Sequence, residues 1–238
     1  MKSKIIMIVT GLMLLLTACG ADPAVEGDTL IKKARADYKK LDSAKVVMTN
    51  MDTDEVEQTF EFKYDEKGFL TYAYQGKTED ESYAQYNNGV ESFSYENGKF
   101  EHLQKGDKNF AVYSRDVTHP QADEGLIIFT PKAVKTAEKT VENGVTHIRH
   151  IYDAEKLGQE NVKAFTADYY FDKNDDLLYF VETSELEDGD KTSKHVYKVE
   201  ITEKNKVQQV DNTYKSIVEE IEESHKNNIK EYKEKLEK

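Results

Sequence analysis

The sequence predicts an α+β fold: a large curved antiparallel β-sheet with an N-terminal helix, a short inserted helix and a long C-terminal helix. Three observations carry this expectation. Apolar and polar residues alternate at period two through most of the 238 residues, hairpin dipeptides recur between the alternating runs, and long helical periodicity is confined to the two ends. Fifteen tyrosines and ten phenylalanines supply a core although 33% of residues are charged, which argues against disorder. Too few apolar residues are present to bury both faces of so large a sheet. One face must stay wet, or the sheet must wrap around something.

The elements follow in chain order. Lys2 and Lys4 precede an apolar run from Ile5 to Leu16, which Leu16-Thr17-Ala18-Cys19-Gly20 closes. That run has twelve residues and is broken by Thr10 and Gly11, whereas a bilayer crossing takes about 20. Residues 1–18 therefore read as a signal peptide. The closing motif resembles the lipobox of bacterial lipoproteins. The resemblance implies a diacylglyceryl group on the Cys19 sulfur, cleavage just before it, and attachment to the extracytoplasmic face of the cell membrane. A plain secretory signal needs no cysteine, and Cys19 is the only one in the chain. Two acyl chains hold stably where one is marginal, since each buried methylene contributes about 0.8 kcal/mol.

Residues 19–27 form the lipidated cysteine and its tether, and the eight residues after Cys19 reach less than ~30 Å. Asp28 is the expected N-cap of a helix to about Leu41, with Leu30, Ile31, Ala34, Tyr38 and Leu41 on one face. From Ala44 the period drops to two. Val56, Phe60, Phe62 and Tyr64 alternate with Glu57, Thr59, Glu61 and Lys63. Strands are expected near 44–51, 56–64, 69–75, 82–87, 90–95, 99–104, 110–115, 133–142, 145–152, 164–171, 177–185 and 194–202. Asn88-Gly89, Asn97-Gly98 and Asn143-Gly144 are hairpin signals of type I′, and Asp188-Gly189 adds a fourth turn. Between His119-Pro120 and Thr130-Pro131 the acidic pair Asp123-Glu124 precedes Leu126-Ile127-Ile128-Phe129. This reads as a short helix over the sheet, either as a core connection or as a plug over an apolar cavity.

After Asp211 or Asn212 as cap, Tyr214, Ile217, Val218, Ile221, His225, Ile229, Tyr232 and Leu236 make a stripe at helical steps. This amphipathic helix over 211–238 either packs on its own sheet or serves as a partner-binding arm. The main domain is placed at 28–210.

The order of parts resembles the LolA and LppX group of envelope lipoproteins and lipoprotein carriers. Asn143-Gly144-Val145-Thr146-His147-Ile148 to Tyr152-Asp153, then Ala167-Asp168-Tyr169-Tyr170-Phe171-Asp172 and Leu177-Leu178-Tyr179, is similar to the late hairpins of that group. The resemblance implies a half-barrel whose concave apolar interior binds acyl chains or lipoprotein anchors, and it transfers no individual binding residue. A built-in anchor departs from the soluble carriers of the group and argues against shuttling.

Charge and motifs narrow the function. Removing Lys2 and Lys4 from the total of −13 leaves −15 for residues 19–238, which argues against nucleic acid as a partner. With Cys19 acylated no thiol remains for a disulfide or a Cys-based metal site. His147 and His150 are an odd number of residues apart, so on a strand they face opposite ways and cannot chelate one ion. Asp172, Asn174 and Asp176 imitate a calcium loop, but Leu177 and Thr183 stand where that loop needs Gly and Glu, so a hairpin turn explains them better. No nucleophile elbow, phosphate loop or dinucleotide fingerprint is present. The expected function is therefore non-enzymatic, with no cofactor and no metal. The expected role is binding of a lipid or other apolar ligand, with Phe60, Phe62, Tyr64, Tyr72, Tyr74, Ile127 and Phe129 as candidate lining residues. The rival is an envelope protein-interaction, sensor or scaffold module acting through a sheet edge or the C-terminal helix.

Overall fold

The computed structural model describes residues 24–77, 82–96, 99–158, 161–189, 191–212 and Glu223. The signal peptide, Cys19, the Asn97-Gly98 turn and the C-terminal helix lie outside these residues, except for Glu223, which is helical. Helix α1 spans Asp28–Lys39. Strands β1 to β6 run Ser43–Asn50, Val56–Tyr64, Leu70–Lys77, Ser82–Asn87, Glu91–Glu96 and Lys99–Gln104. Three 3-10 turns follow, at Pro120–Ala122, Glu124–Leu126 and Pro131–Ala133. Strands β7 (Val134–Glu142) and β8 (Val145–Tyr152), helix α2 (Ala154–Leu157), and strands β9 (Val162–Phe171), β10 (Leu177–Asp188) and β11 (Lys191–Thr202) complete the order. The strands form an 11-stranded open antiparallel sheet in the order β6-β5-β4-β3-β2-β1-β11-β10-β9-β8-β7.

Four expectations are corrected. The segment near 110–115 is not a strand: Phe69 and Ser114 form an isolated bridge, with Leu70 N donating to Tyr113 O at 3.0 Å and Arg115 N donating to Gly68 O at 3.1 Å. Asn109 at φ 74 and a tight turn over Ser114–Val117 break the run. The inserted segment is three 3-10 turns rather than one helix, because Pro120 and Pro131 restart the chain and the side chains of His119 and Asp123 cap two of the turns. Asp28 is not the N-cap of α1. Gly27 takes that position at φ 81, and Asp28 instead pairs with Lys32 at 2.9 Å inside the first turn. Of the turn dipeptides, Asn143-Gly144 has positive φ at both residues, 51 and 78, as a type I′ turn requires. In Asn88-Gly89 only Gly89 is positive, and the Asn88 side chain closes the loop by accepting from Val90 N and Glu91 N.

Chain contacts divide the molecule into two compact units. Among the described residues, unit 1 comprises residues 24–41, Val46–Val56 and His119–Thr202, and unit 2 comprises Asp42–Lys45, Glu57–Thr118 and residues 203–212. In unit 1 one parity of each strand is buried, Ile148, His150 and Tyr152 on β8, Phe165, Ala167, Tyr169 and Phe171 on β9, and Phe180, Glu182, Ser184 and Leu186 on β10, and Asp168 on the other side of β9 is buried as well. Helix α1 covers with Ile31, Ala34 and Tyr38, and Tyr38 Oη donates to Gln121 O in the 3-10 segment. In unit 2 the last described stretch turns back on the sheet, where Val207 and Val210 pack on Ala73. Asn205 N donates to Ser43 O at 2.8 Å, and Lys63 Nζ donates to Gln208 O at 2.6 Å.

Gly27 is fixed by both conformation and space. A Cβ there would stand 2.5 Å from Ile148 Cδ1 and 2.6 Å from its Cγ2, and Ile148 is fully buried. Gly27→Ala is expected to cost about 2 to 4 kcal/mol, from left-handed strain plus overpacking, read as a lowered urea midpoint at unchanged slope. An unchanged midpoint would show that α1 does not start where it packs on β8.

Candidate functional site

Five of the seven candidate lining residues come together in unit 2. Phe60, Phe62 and Tyr64 share one parity of β2, and Tyr72 and Tyr74 share one parity of β3, with Phe60 opposite Tyr74 and Phe62 opposite Tyr72. Even-numbered residues of β2 thus face the aromatic side, while Glu61 and Lys63 face the other. The rings touch in series: Phe60–Phe62 at 5.6 Å, Phe60–Tyr72 at 5.7 Å, Phe62–Tyr64 at 5.9 Å. Each such contact adds roughly 0.5–1.5 kcal/mol to area burial. All five are at most 6% exposed. Arg115 lies 4.2 Å over the Tyr64 ring, closing that end with a cation.

Tyr83 on β4 extends the same face. It stands opposite Gly76, where an added Cβ would meet its ring at 2.0 Å, so the glycine makes room for the aromatic ring. Its ring lies 5.2 Å from Tyr74, and the two hydroxyls are 3.0 Å apart, with Gln58 accepting from Tyr74 Oη at 3.3 Å. The face is therefore apolar in its middle and hydroxylated along one margin. Burial, helped by the neighbouring Tyr113, raises the Tyr72 hydroxyl above its ordinary range and keeps it protonated.

The other two candidates, Ile127 and Phe129, belong to unit 1 and form a separate group. They lie in the 3-10 segment that α1 holds: Arg35 Nη1 donates to Phe129 O at 3.0 Å, and Lys32 Nζ stands 5.7 Å over the Phe129 ring. The sheet side of this cover carries Phe129–His150 and His150–Tyr169 ring contacts at 5.8 and 5.7 Å. Tyr169 Oη donates to Ile128 O, and Tyr152 Oη lies 3.3 Å from Tyr169 Oη. Burial pushes the Tyr152 hydroxyl up to about 12 and the Tyr169 hydroxyl well above its usual range.

Unit 1 also holds two ionisable groups that the sequence reading did not select. Glu182 is 3% exposed, and burial alone pushes its carboxyl up to about 8. His150 is fully buried and its pKa is lowered by desolvation, while its Nε2 bonds Glu26 O at 2.8 Å. Their parity was the available signal, since His150 shares its side with Ile148 and Tyr152, and Glu182 with Phe180 and Leu186.

The two histidines do part company as their spacing requires. His147 lies on the opposite face, 2.6 Å from Asp168 Oδ1 and stacked on Tyr170 at 4.5 Å. Asp172 closes the β9–β10 turn by accepting from Asn174 N at 2.8 Å and Asp176 N at 3.0 Å. Among the described residues no cluster of three or more His, Cys, Asp or Glu side chains is arranged to hold a metal ion, and no helix is long and apolar enough to cross a membrane.

The chain matches no protein-family model and no curated protein. Among solved structures it is similar to LprF from Mycobacterium bovis, at 12% identity and a TM-score of 0.44 over 81% of this chain and 99% of that one. It is also similar to Rv2717c from M. tuberculosis, at 14% identity and a TM-score of 0.22 over 69% of this chain and 92% of that one. The functional reading rests on this chain's own residues.

Proposed function

We propose that the chain is a membrane-anchored extracytoplasmic lipoprotein, held through a lipid on Cys19, that binds a lipid or other apolar ligand and catalyses no reaction. The observation that carries this is the unbroken aromatic face of unit 2, where Phe60, Phe62, Tyr64, Tyr72 and Tyr74 meet ring to ring on adjacent strands. A contiguous apolar lining with polar groups only at its margin is what an acyl chain requires, since most of its surface must leave water. Ile127 and Phe129 are a second apolar group of the same kind in unit 1. An open antiparallel meander of 11 strands is in keeping with the half-barrel lipoproteins that the sequence resembles.

The rival reading, recognition of an envelope protein through a sheet edge, meets an electrostatic obstacle. The two edges are β6 and β7, and they carry Lys99, Glu101, Lys135, Glu138, Lys139 and Glu142. Charge along an edge opposes addition of a further strand. Native mass spectrometry of residues 20–238 purified without detergent tests the proposal. A retained lipid mass, or uptake of added lipid, is the expected result. A clean apo mass with no uptake sinks it, and a pull-down dependent on residues 212–238 then favours a protein partner.

A further inference from the structure

We propose that Glu182 and His150 are the polar end of a ligand site in unit 1 and grip a neutral hydroxyl group, as a monoacylglycerol presents beside its acyl chain. The inference deepens the apolar-ligand reading and rests on it. His150 and Glu182 both stand opposite Ala167, one on each side, so a single methyl separates two long polar side chains in one row across β8, β9 and β10. Their strands are about 9.6 Å apart, a span across which two side chains can each make a hydrogen bond of ~2.8 Å to one hydroxyl.

Both side chains have an atom that the protein leaves unsatisfied. Glu182 Oε2 and His150 Nδ1 are buried with no hydrogen-bond partner in the protein. Leaving such atoms unmatched is costly. Arg35 on the covering helix donates to Phe129 O at 3.0 Å and lies 3.7 Å from Glu124 Oε1.

The protonation states define the complement. Glu26 O can only accept, so His150 Nε2 carries the ring proton and Nδ1 offers a bare lone pair. Glu182, raised by burial, keeps its proton near neutral pH and is a donor. One donor and one acceptor in the same row match a group that accepts and donates at one atom, which is a hydroxyl. A carboxylate cannot donate to His150, and an ester without a free hydroxyl cannot either. The adjacent row, Ile148, Tyr169, Phe180 and Val199, is apolar and buried beside the pair.

The test uses the full chain in nanodiscs with two photo-reactive probes of equal chain length, a monolauroyl glycerol and a methyl laurate, each with a diazirine on the acyl chain. The expected result is half-saturation of labelling by the monoglyceride at about tenfold lower concentration, the worth of one buried hydrogen bond. Glu182→Met should remove that preference and leave methyl laurate labelling unchanged, which also shows that the variant folds. Glu182→Gln keeps a donor and should retain the preference. Equal half-saturation of the two probes, as a site filled by an internal water alone would give, or a preference unmoved by Glu182→Met, overturns the proposal while the apolar-ligand reading stands. Labelling by neither probe overturns both.

Discussion

Raising the pH from 6.5 to 8 is expected to lower the folding stability of the chain by about 2 kcal/mol, and Glu182→Gln is expected to abolish that fall. The sign follows from the carboxyl. Its pKa is about 8 when folded and the ordinary 4.5 when unfolded, so between those values the folded chain holds one more proton. Stability therefore declines with pH across that window, by about 1.4 kcal/mol per unit and about 5 kcal/mol in all. Below 4.5 both states are protonated and the penalty vanishes; above 8 both are ionised and it is complete.

Two buried histidines act in the opposite sense. His119, lowered to about 4 by burial, and His150, also lowered, are neutral in the fold and bind protons more readily when unfolded. Their contribution is complete above 6.5 and is lost as pH falls through the window beneath it. Glu182 and the histidines thus offset one another between 4.5 and 6.5, and Glu182 stands exposed as the cause only above 6.5. The tyrosines packed around it, Tyr152 and Tyr169, are pushed up and stay neutral in this range. Urea midpoints at pH 6.5, 7.2, 8 and 9 for wild type and Glu182→Gln read the effect directly. Parallel curves would mean that Glu182 finds a partner or water that stabilises its charge.

Strand parity was legible because half-burial writes itself into every second residue. The expected spans 56–64, 82–87, 99–104 and 145–152 coincide with β2, β4, β6 and β8. The same parity puts Phe60, Phe62 and Tyr64 of β2 and Tyr72 and Tyr74 of β3 on one face. What the pattern could not express was the cost of the exceptions. Glu182 follows the inward parity of β10, but the chain has 46 acidic residues. Tertiary burial, which leaves Glu182 3% exposed, separates this carboxyl from the solvated ones. The segment near 110–115 failed for the complementary reason: Val112 and Tyr113 have strand propensity, yet backbone pairing is tertiary, and it reached Tyr113, Ser114 and Arg115 at the end of the run without extending to a ladder. At Gly27 the controlling fact was a contact with Ile148, 121 residues away in the chain, which no local capping rule contains.

Cys19→Ser is expected to move the protein from the membrane pellet to the soluble fraction, lowering the bound-to-free ratio at least about tenfold at about 1 mM accessible lipid. Even a single myristoyl chain supplies membrane affinity on the order of 10⁴ M⁻¹, and a diacylglyceryl group carries two chains. Little else in the chain can compensate. The leader's apolar run is twelve residues long, short of the ~20 that a crossing takes. The charge of residues 19–238, −15 once the two leader lysines are removed from −13, gives an anionic leaflet nothing to attract. If the proposed anchor holds, the working distance is short: His150 fixes Glu26 O, and the seven residues from Gly20 to Glu26 can reach at most ~25 Å. Fractionation of cells fed radiolabelled palmitate separates the outcomes. A serine variant that pellets as completely as wild type through a high-salt wash, or a wild-type chain that takes up no label, removes the anchor and with it the short working distance.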